Sequence, residues 1–319
     1  MTALLALITV SAWGTWIPLA QAVPGVPQRS RTFYVTVGNV VFALVALFAG
    51  GGHLGFGWRD FWLPFAGGLV WTLGSHSAFR ASEDIGLARA AGSWTPLNIV
   101  TAFVWGVLVF HELSGFSQAR LAVVAGALVL VLVGVLLIVS SQEVHPRDVP
   151  NRGDLLAPTV PARDKTASVA TTVGSGSTYR RGLLWAAAAG VLWGSYFVPA
   201  QWAKVPSEVA NFPLALGILA SGAALALSAG EPVRLSRKVT VLQLSAGVLF
   251  GAGNLALLGL VSRVGTGVGF TIAQLSLLVN ASIGIWVFKV PKPGSRAARV
   301  AIAGILIAGV GGGVIGAVR

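Results

Sequence analysis

Residues 11–21 read SAWGTWIPLAQ, and residues 191–201 read VLWGSYFVPAQ. Each copy has Trp-Gly, then Thr or Ser, then an aromatic, then Pro, and closes on Ala-Gln. They stand 180 positions apart, each within an apolar run. A phrase repeated at that distance in that setting points to a chain built twice.

The setting is a membrane. Of 319 residues, 55% are hydrophobic and only 10% charged, and the mean hydropathy is +0.80. A soluble domain carries about a quarter charged residues, so most of this surface must face lipid. Forty-one glycines agree, because Gly is commoner in membrane helices than in soluble ones. The absence of cysteine excludes disulfides, thiolate catalysis and Cys-based metal sites. The net charge of +12 does not indicate nucleic acid, since Lys and Arg fall between apolar runs and not on one basic face.

A helical span needs about 20 apolar residues. Such stretches lie near 3–22, 32–51, 61–80, 86–110 and 118–140, and again near 182–203, 207–229, 239–262, 264–288 and 298–317. The first lacks the basic n-region of a signal peptide and carries the repeated phrase, so it reads as a retained span. Residues 142–180, rich in Pro, Ser, Thr and Gly, cannot bury enough apolar surface to fold and are expected to form a disordered linker. The expected units are 1–141 with helices 1–5, the linker 142–180, and 181–319 with helices 6–10.

Other segments echo in register. GGLVWTLGS at 67–75 pairs with AGVLFGAGN at 246–254, and GVLVF at 106–110 with GIWVF at 284–288. Because five spans is an odd number, a second copy enters the membrane from the other side. The fold class is therefore an all-α integral membrane protein of ten transmembrane helices in two inverted five-helix repeats, an architecture of alternating-access transporters. Gaps after the odd-numbered spans hold seventeen Lys and Arg, against five on the other side. The positive-inside rule then places the linker in the cytoplasm and both termini outside.

Pro18 and Pro199 lack an N–H, so the carbonyls of Gly14 and Ser195 are expected to lose their helical partner. Paired helix breaks at matching places point to a pocket between the repeats, with a packing kink as the plainer reading. Trp13, Trp71 and Trp193 fall in mid-span, away from the headgroup level that Trp58, Trp62 and Trp202 suit. Trp94, Asn98, Thr101 and Trp105 share one helix face. With Tyr196, Asn254 and Gln274 these supply aromatic rings and amides, the groups that meet the C–H faces and hydroxyls of a sugar. The plainer reading is that the amides bond neighbouring helices. His76 is the one His inside a helix and the candidate for carrying a coupled proton. Glu83, Asp84 and Glu112 read as solvated or helix-end charges.

The stretch AGGLVWTLGSHSAFRASEDIGLARAAGSWTPLNIVTAFVWGVLVFHE resembles spans 3–4 of the glucose/ribose porter family, in the drug/metabolite transporter superfamily. The matching positions are Gly68, Trp71, Gly74, Ile85, Gly86, Arg89, Gly106, Val107, Leu108, Phe110 and Glu112. Gly251, Gly253, Asn254, Gly269, Phe270 and Gln274 match in the second half. The resemblance implies a symporter that takes up sugar across the plasma membrane with protons. Three departures stand out. FKVPKPG replaces the acidic residue usual after the second Gly-rich helix, the linker is long, and His76 stands where the family often has an amide.

The expected function is thus alternating-access transport of a neutral monosaccharide of glucose or ribose type, with proton-coupled uptake. The alternative is an uncoupled facilitative carrier, or an exporter of another small metabolite on the same fold. Phosphorylated sugars would call for buried Arg or Lys. No HExxH, paired intramembrane aspartate or metal constellation suggests an enzyme, and no metal or cofactor is expected. The expected partners are the sugar and the lipid bilayer, with no nucleic acid; oligomeric state has no signature.

Overall fold

Long apolar runs, bounded by Pro, Gly and charged residues, become helices because only a helix satisfies its own backbone in lipid. The computed structural model describes residues 1–23, 26–52, 54–85, 87–141, 176–228, 234–289 and 291–318. Most of the expected linker, and the side chains of Glu83 and Arg89, lie outside the described residues.

Among the described residues every regular element is helical. The first half holds α1 (Thr2–Gln21), α2 (Gln28–Ala49), α3 (Trp58–Ile85), α4 (Leu87–Leu108) and α5 (Gln118–Ser141). The second holds α6 (Gly176–Trp193), α7 (Val198–Trp202), α8 (Ser207–Ser228), α9 (Arg237–Val264), α10 (Thr266–Gln274), α11 (Ser276–Ile283), a π-helical turn (Gly284–Phe288) and α12 (Arg296–Ala317). Eight stretches are long and apolar enough to cross a membrane. The other two expected spans are α3 and α4. α3 has the length, at 28 residues, but its Trp, Gly, Ser, Thr and His dilute its apolar character. Within α4, the described apolar stretch is Ser93–Leu108. Leu and Val side chains such as Leu7, Val45, Leu184, Leu227 and Leu306 stand exposed on the outer faces, where lipid would cover them.

The helices meet at glycines. α2 crosses α9 where a Cβ at Gly38 would lie 2.2 Å from the Leu244 carbonyl and one at Gly247 2.1 Å from that of Val35. α8 crosses α3 in the same way, with Gly217 against the Phe65 carbonyl at 2.1 Å and Gly68 against that of Leu214 at 2.3 Å. Each residue of the second crossing is 179 positions from one in the first. Gly14 of α1 packs on Ser276 and Val279, and Gly194, after α6, on Asn98 and Thr101 of α4. Between α5 and α12, Gly134 meets Gly304 and Ala308, while Gly311 meets Ala127 and Val131. Backbones this close leave no room for a side chain, which is how membrane helices gain dispersion energy without a hydrophobic drive.

Two polar clasps join helix ends. Arg181, at the start of α6, donates to Asp84 in the last turn of α3 through Nε at 2.8 Å and Nη2 at 2.6 Å. This hydrogen-bonded guanidinium holds the Asp84 carboxyl below the usual carboxylate range. Glu112, from the α4–α5 loop, accepts the backbone N–H groups of Thr266 and Gly267, the latter at 3.0 Å. These are among the first N–H groups of α10, which have no partner within their own helix and favour an anion. Glu112 is thus a helix-end charge, and the end belongs to a helix of the other half. Gly106 makes the reach possible, since a Cβ there would lie 2.5 Å from Glu112 Oε2.

Gly68→Ala and Gly247→Ala should each lower the melting temperature in detergent, by the roughly 1–3 kcal/mol that overpacking costs. Gly313→Ala, which meets nothing within 4 Å, should leave it unchanged. The Asp84–Arg181 pair gives a second expectation. A depressed carboxylate pKa contributes stability at neutral pH that is lost as pH falls through the depressed value. Arg181 is 63% exposed, so the effect is small. Thermal melts on acidification should fall more steeply for the wild type than for Asp84→Asn.

Candidate functional site

The repeated phrase places Trp13 in the middle of α1 and Trp193 at the end of α6. Trp13 lies on Gly253 of α9, where a Cβ would be 2.2 Å from its Cδ1. Trp193 lies on Gly74 of α3 in the matching way, at 2.7 Å. Neither ring faces lipid alone. Trp13 also meets Phe270 edge-on at 6.3 Å, and Trp193 meets Trp94 edge-on at 5.5 Å. Trp193 Nε1 donates to the Trp71 carbonyl at 3.1 Å, so this ring ties α6 to α3.

A central cluster gathers most of the sequence candidates. Phe250 lies between Trp16 and Trp71, each 5.0 Å away. Tyr196, 2% exposed, donates to Asn254 Oδ1 at 3.3 Å, and Phe197 stacks on Phe270 at 4.9 Å. Asn254 and Gln274 are buried, Gln274 at the C-terminal end of α10. Asn98 is buried on α4, with its Oδ1 lacking a partner among the described residues. The same holds for Trp13 Nε1 and Asn254 Nδ2. Trp105, from the same face of α4 as Asn98, donates to Ser195 Oγ at 2.8 Å. His76 stands apart from this cluster, edge-on to Trp185 of α6 at 6.2 Å.

The helix breaks differ from the expectation in one copy. α1 runs unbroken past Pro18, whereas α6 stops at Trp193 and α7 begins at Val198 with Pro199 in its first turn. The Ser195 carbonyl is not orphaned, because the N–H of Val198 donates to it at 3.0 Å. A further break, with no proline to announce it, falls at Leu275 between α10 and α11. By the 178-residue offset of the GVLVF–GIWVF echo, that position lies opposite Leu97 of α4, the residue after Pro96.

Sequence reasoning missed Trp16 and Phe250, although the signal was present. Trp16 belongs to the repeated phrase opposite Tyr196, and Phe250 is opposite Trp71 in the second echo. The centre is closed in this conformation: Tyr196, Phe197, Phe250 and Phe270 are all buried. Two clefts lie at the surface instead. One of about 560 Å3 is lined by Phe56, Trp58, Phe61, Trp62 and Phe212 among others, and one of about 460 Å3 by α4 residues including Val100, Thr101 and Trp105. Among the described residues, every buried polar side chain is an uncharged Ser, Thr, Asn, Gln or Tyr. Such a centre can offer hydrogen bonds and ring faces, but no charge to hold an anion.

Comparison with known proteins agrees. A family model described as "Sugar transport protein" matches residues 4–152 and 164–318. A protein of Listeria monocytogenes named for sugar uptake is 25% identical over 99% of both chains. The glucose uptake protein of Bacillus subtilis is 24% identical over 96% of this chain and 95% of its own. A solved crystal structure superposes with a TM-score of 0.66 at 22% identity, covering 98% of this chain and 95% of that one, which bears on the fold. With both helical halves inside one family model, the chain belongs to the sugar transport protein family and is a multi-pass membrane transport protein, not an enzyme.

Proposed function

We propose that this chain carries a neutral monosaccharide of glucose or ribose type into the cell across the plasma membrane. It does so by alternating access between two inverted five-helix repeats that make up ten transmembrane spans. The observation that carries the substrate reading is the buried polar inventory, which is uncharged among the described residues. A phosphorylated sugar would need buried Arg or Lys facing it. A neutral sugar needs rings for its C–H faces and amides for its hydroxyls, and Trp13, Trp71, Trp94, Trp193, Tyr196, Asn98, Asn254 and Gln274 are the proposed contacts.

The repeat reading is supported by contacts that interchange under a shift of 177 to 180 residues. Trp13 on Gly253 becomes Trp193 on Gly74, and the α2–α9 crossing becomes the α8–α3 crossing. Contacts related in this way are what two similar bodies make about a two-fold axis, and rocking of one against the other opens either side in turn. The buried centre corresponds to a closed state between the two openings. The excess of Lys and Arg supports a cytoplasmic linker with both termini outside. Exposed Trp58, Trp62 and Trp202, with Arg59 5.8 Å over the Trp202 ring, suit the outer headgroup level. In this reading uptake is coupled to protons and His76, the histidine inside a span, carries the proton.

Uptake of labelled glucose or ribose into proteoliposomes tests the reading. Trp71→Ala and Asn98→Ala should lower uptake by about tenfold or more, and Trp62→Ala by less than about twofold. Equal losses in all three would remove the site. An inward proton gradient should stimulate the wild type but not His76→Gln, and uptake indifferent to the gradient would remove the coupling. Because the chain has no cysteine, single-cysteine variants report orientation directly. Thr2→Cys should react with an impermeant maleimide on intact cells, and Ser168→Cys only after permeabilisation.

A further inference from the structure

We infer that Asn39 of α2 is a substrate contact, whose side-chain amide bonds a hydroxyl of the transported sugar when the centre opens. The inference rests on the sugar-carrier reading and adds to its site a residue from a helix that otherwise contributes none.

Asn39 lies midway along α2 and is 0% exposed. Neither its Oδ1 nor its Nδ2 has a partner among the described residues. An amide that served only to join helices would be bonded, as Gln243 Nε2 is to the Ala20 carbonyl at 2.9 Å. Leaving both halves of an amide unpaired in the middle of a membrane helix is costly, and packing alone gives no return for it. A group unpaired in the closed state is satisfied in another state, by a ligand or by the water that enters with it.

Its surroundings point to the ligand. The room for the amide is made by Gly251 of α9, where a Cβ would stand 2.8 Å from Asn39 Oδ1 and 2.9 Å from Phe42. Along α9, Gly253 carries Trp13, whose Nε1 is unpaired, and the next residue, Asn254, has an unpaired Nδ2. Thus α1, α2 and α9 each present an unsatisfied polar group beside residues 251–254. Trp13 Nε1 and Asn254 Nδ2 only donate, whereas Asn39 donates and accepts, as a hydroxyl does. Its counterpart in the second half, 179 positions on, is Ile218, fully buried in the central apolar cluster. At this pair of positions the polarity is therefore one-sided, which distinguishes the two halves toward an asymmetric sugar.

The test uses purified full-length protein and a panel of glucose, ribose and their monodeoxy analogues, with binding read in detergent. A site built to bond a hydroxyl rejects the analogue that lacks it. The wild type should bind at least one monodeoxy analogue about tenfold more weakly than its parent. Asn39→Ala should weaken binding of the parent sugar and bring that one analogue level with it, leaving discrimination at the other hydroxyls unchanged. A structural role would weaken all members alike. An Asn39→Ala protein that keeps the full wild-type ranking, or loses affinity uniformly, overturns the assignment of Asn39 alone. A wild type that binds no neutral sugar in the panel overturns it together with the carrier reading. If Asn39→Ala does not fold, Gly251→Ala, whose methyl displaces the amide, should level the same analogue, and an unchanged ranking there overturns the inference.

Discussion

Backbone-to-backbone contact at glycine is the constraint on which this structure depends. In lipid, helices gain nothing from hiding apolar side chains from one another, so association must come from close packing and a few hydrogen bonds. Gly38 against Leu244, Gly68 against Leu214, and Gly134 against Gly304 bring carbonyls and Cα atoms to distances that no side chain allows. The same rule governs aromatic placement. Trp13 and Trp193 lie inside the bundle because Gly253 and Gly74 leave a flat surface for an indole ring. Without those glycines the large rings would be driven outward to the bilayer, and the centre would lose the faces that suit a sugar.

The polar groups follow a second rule, that what enters the membrane interior must be neutral or paired. Charged side chains are kept to helix ends, where Asp84 meets Arg181 and Glu112 meets the α10 N-terminus. The interior keeps amides and hydroxyls, some bonded within the protein and some not. Tyr196 on Asn254 and Trp105 on Ser195 are bonded, while Asn39 and the Oδ1 of Asn98 have no partner among the described residues.

Much of the helical plan was legible in the sequence, because apolar length and repeated phrases are local properties. The echo of GGLVWTLGS in AGVLFGAGN puts Gly68 opposite Gly247 and Trp71 opposite Phe250, and the structure sets the glycines in matching crossings and the two rings against each other. Local signals fail where the outcome depends on neighbours distant in the chain. Leu275 breaks a helix without a proline, and Pro18 leaves α1 unbroken where an interruption is expected. Trp193 stands out in the sequence as a mid-span ring, but only the fold reveals that its indole N–H is bonded to the Trp71 carbonyl. Asn39 carried no motif at all. Its interest comes from what surrounds it, and no reading of α2 alone contains that information.

The junction at Glu112 has a consequence for variation among sequences. Its donors are main-chain N–H groups, which every non-proline residue carries, but Gly267 is itself held small by Phe103, 3.0 Å from where its Cβ would lie. The acceptor depends on one carboxylate, and its approach depends on the missing side chain at Gly106. Sensitivity is therefore shared by the two sides of the contact: the donors ask for a small residue at 267, and the acceptor for a carboxylate at 112 with no side chain at 106.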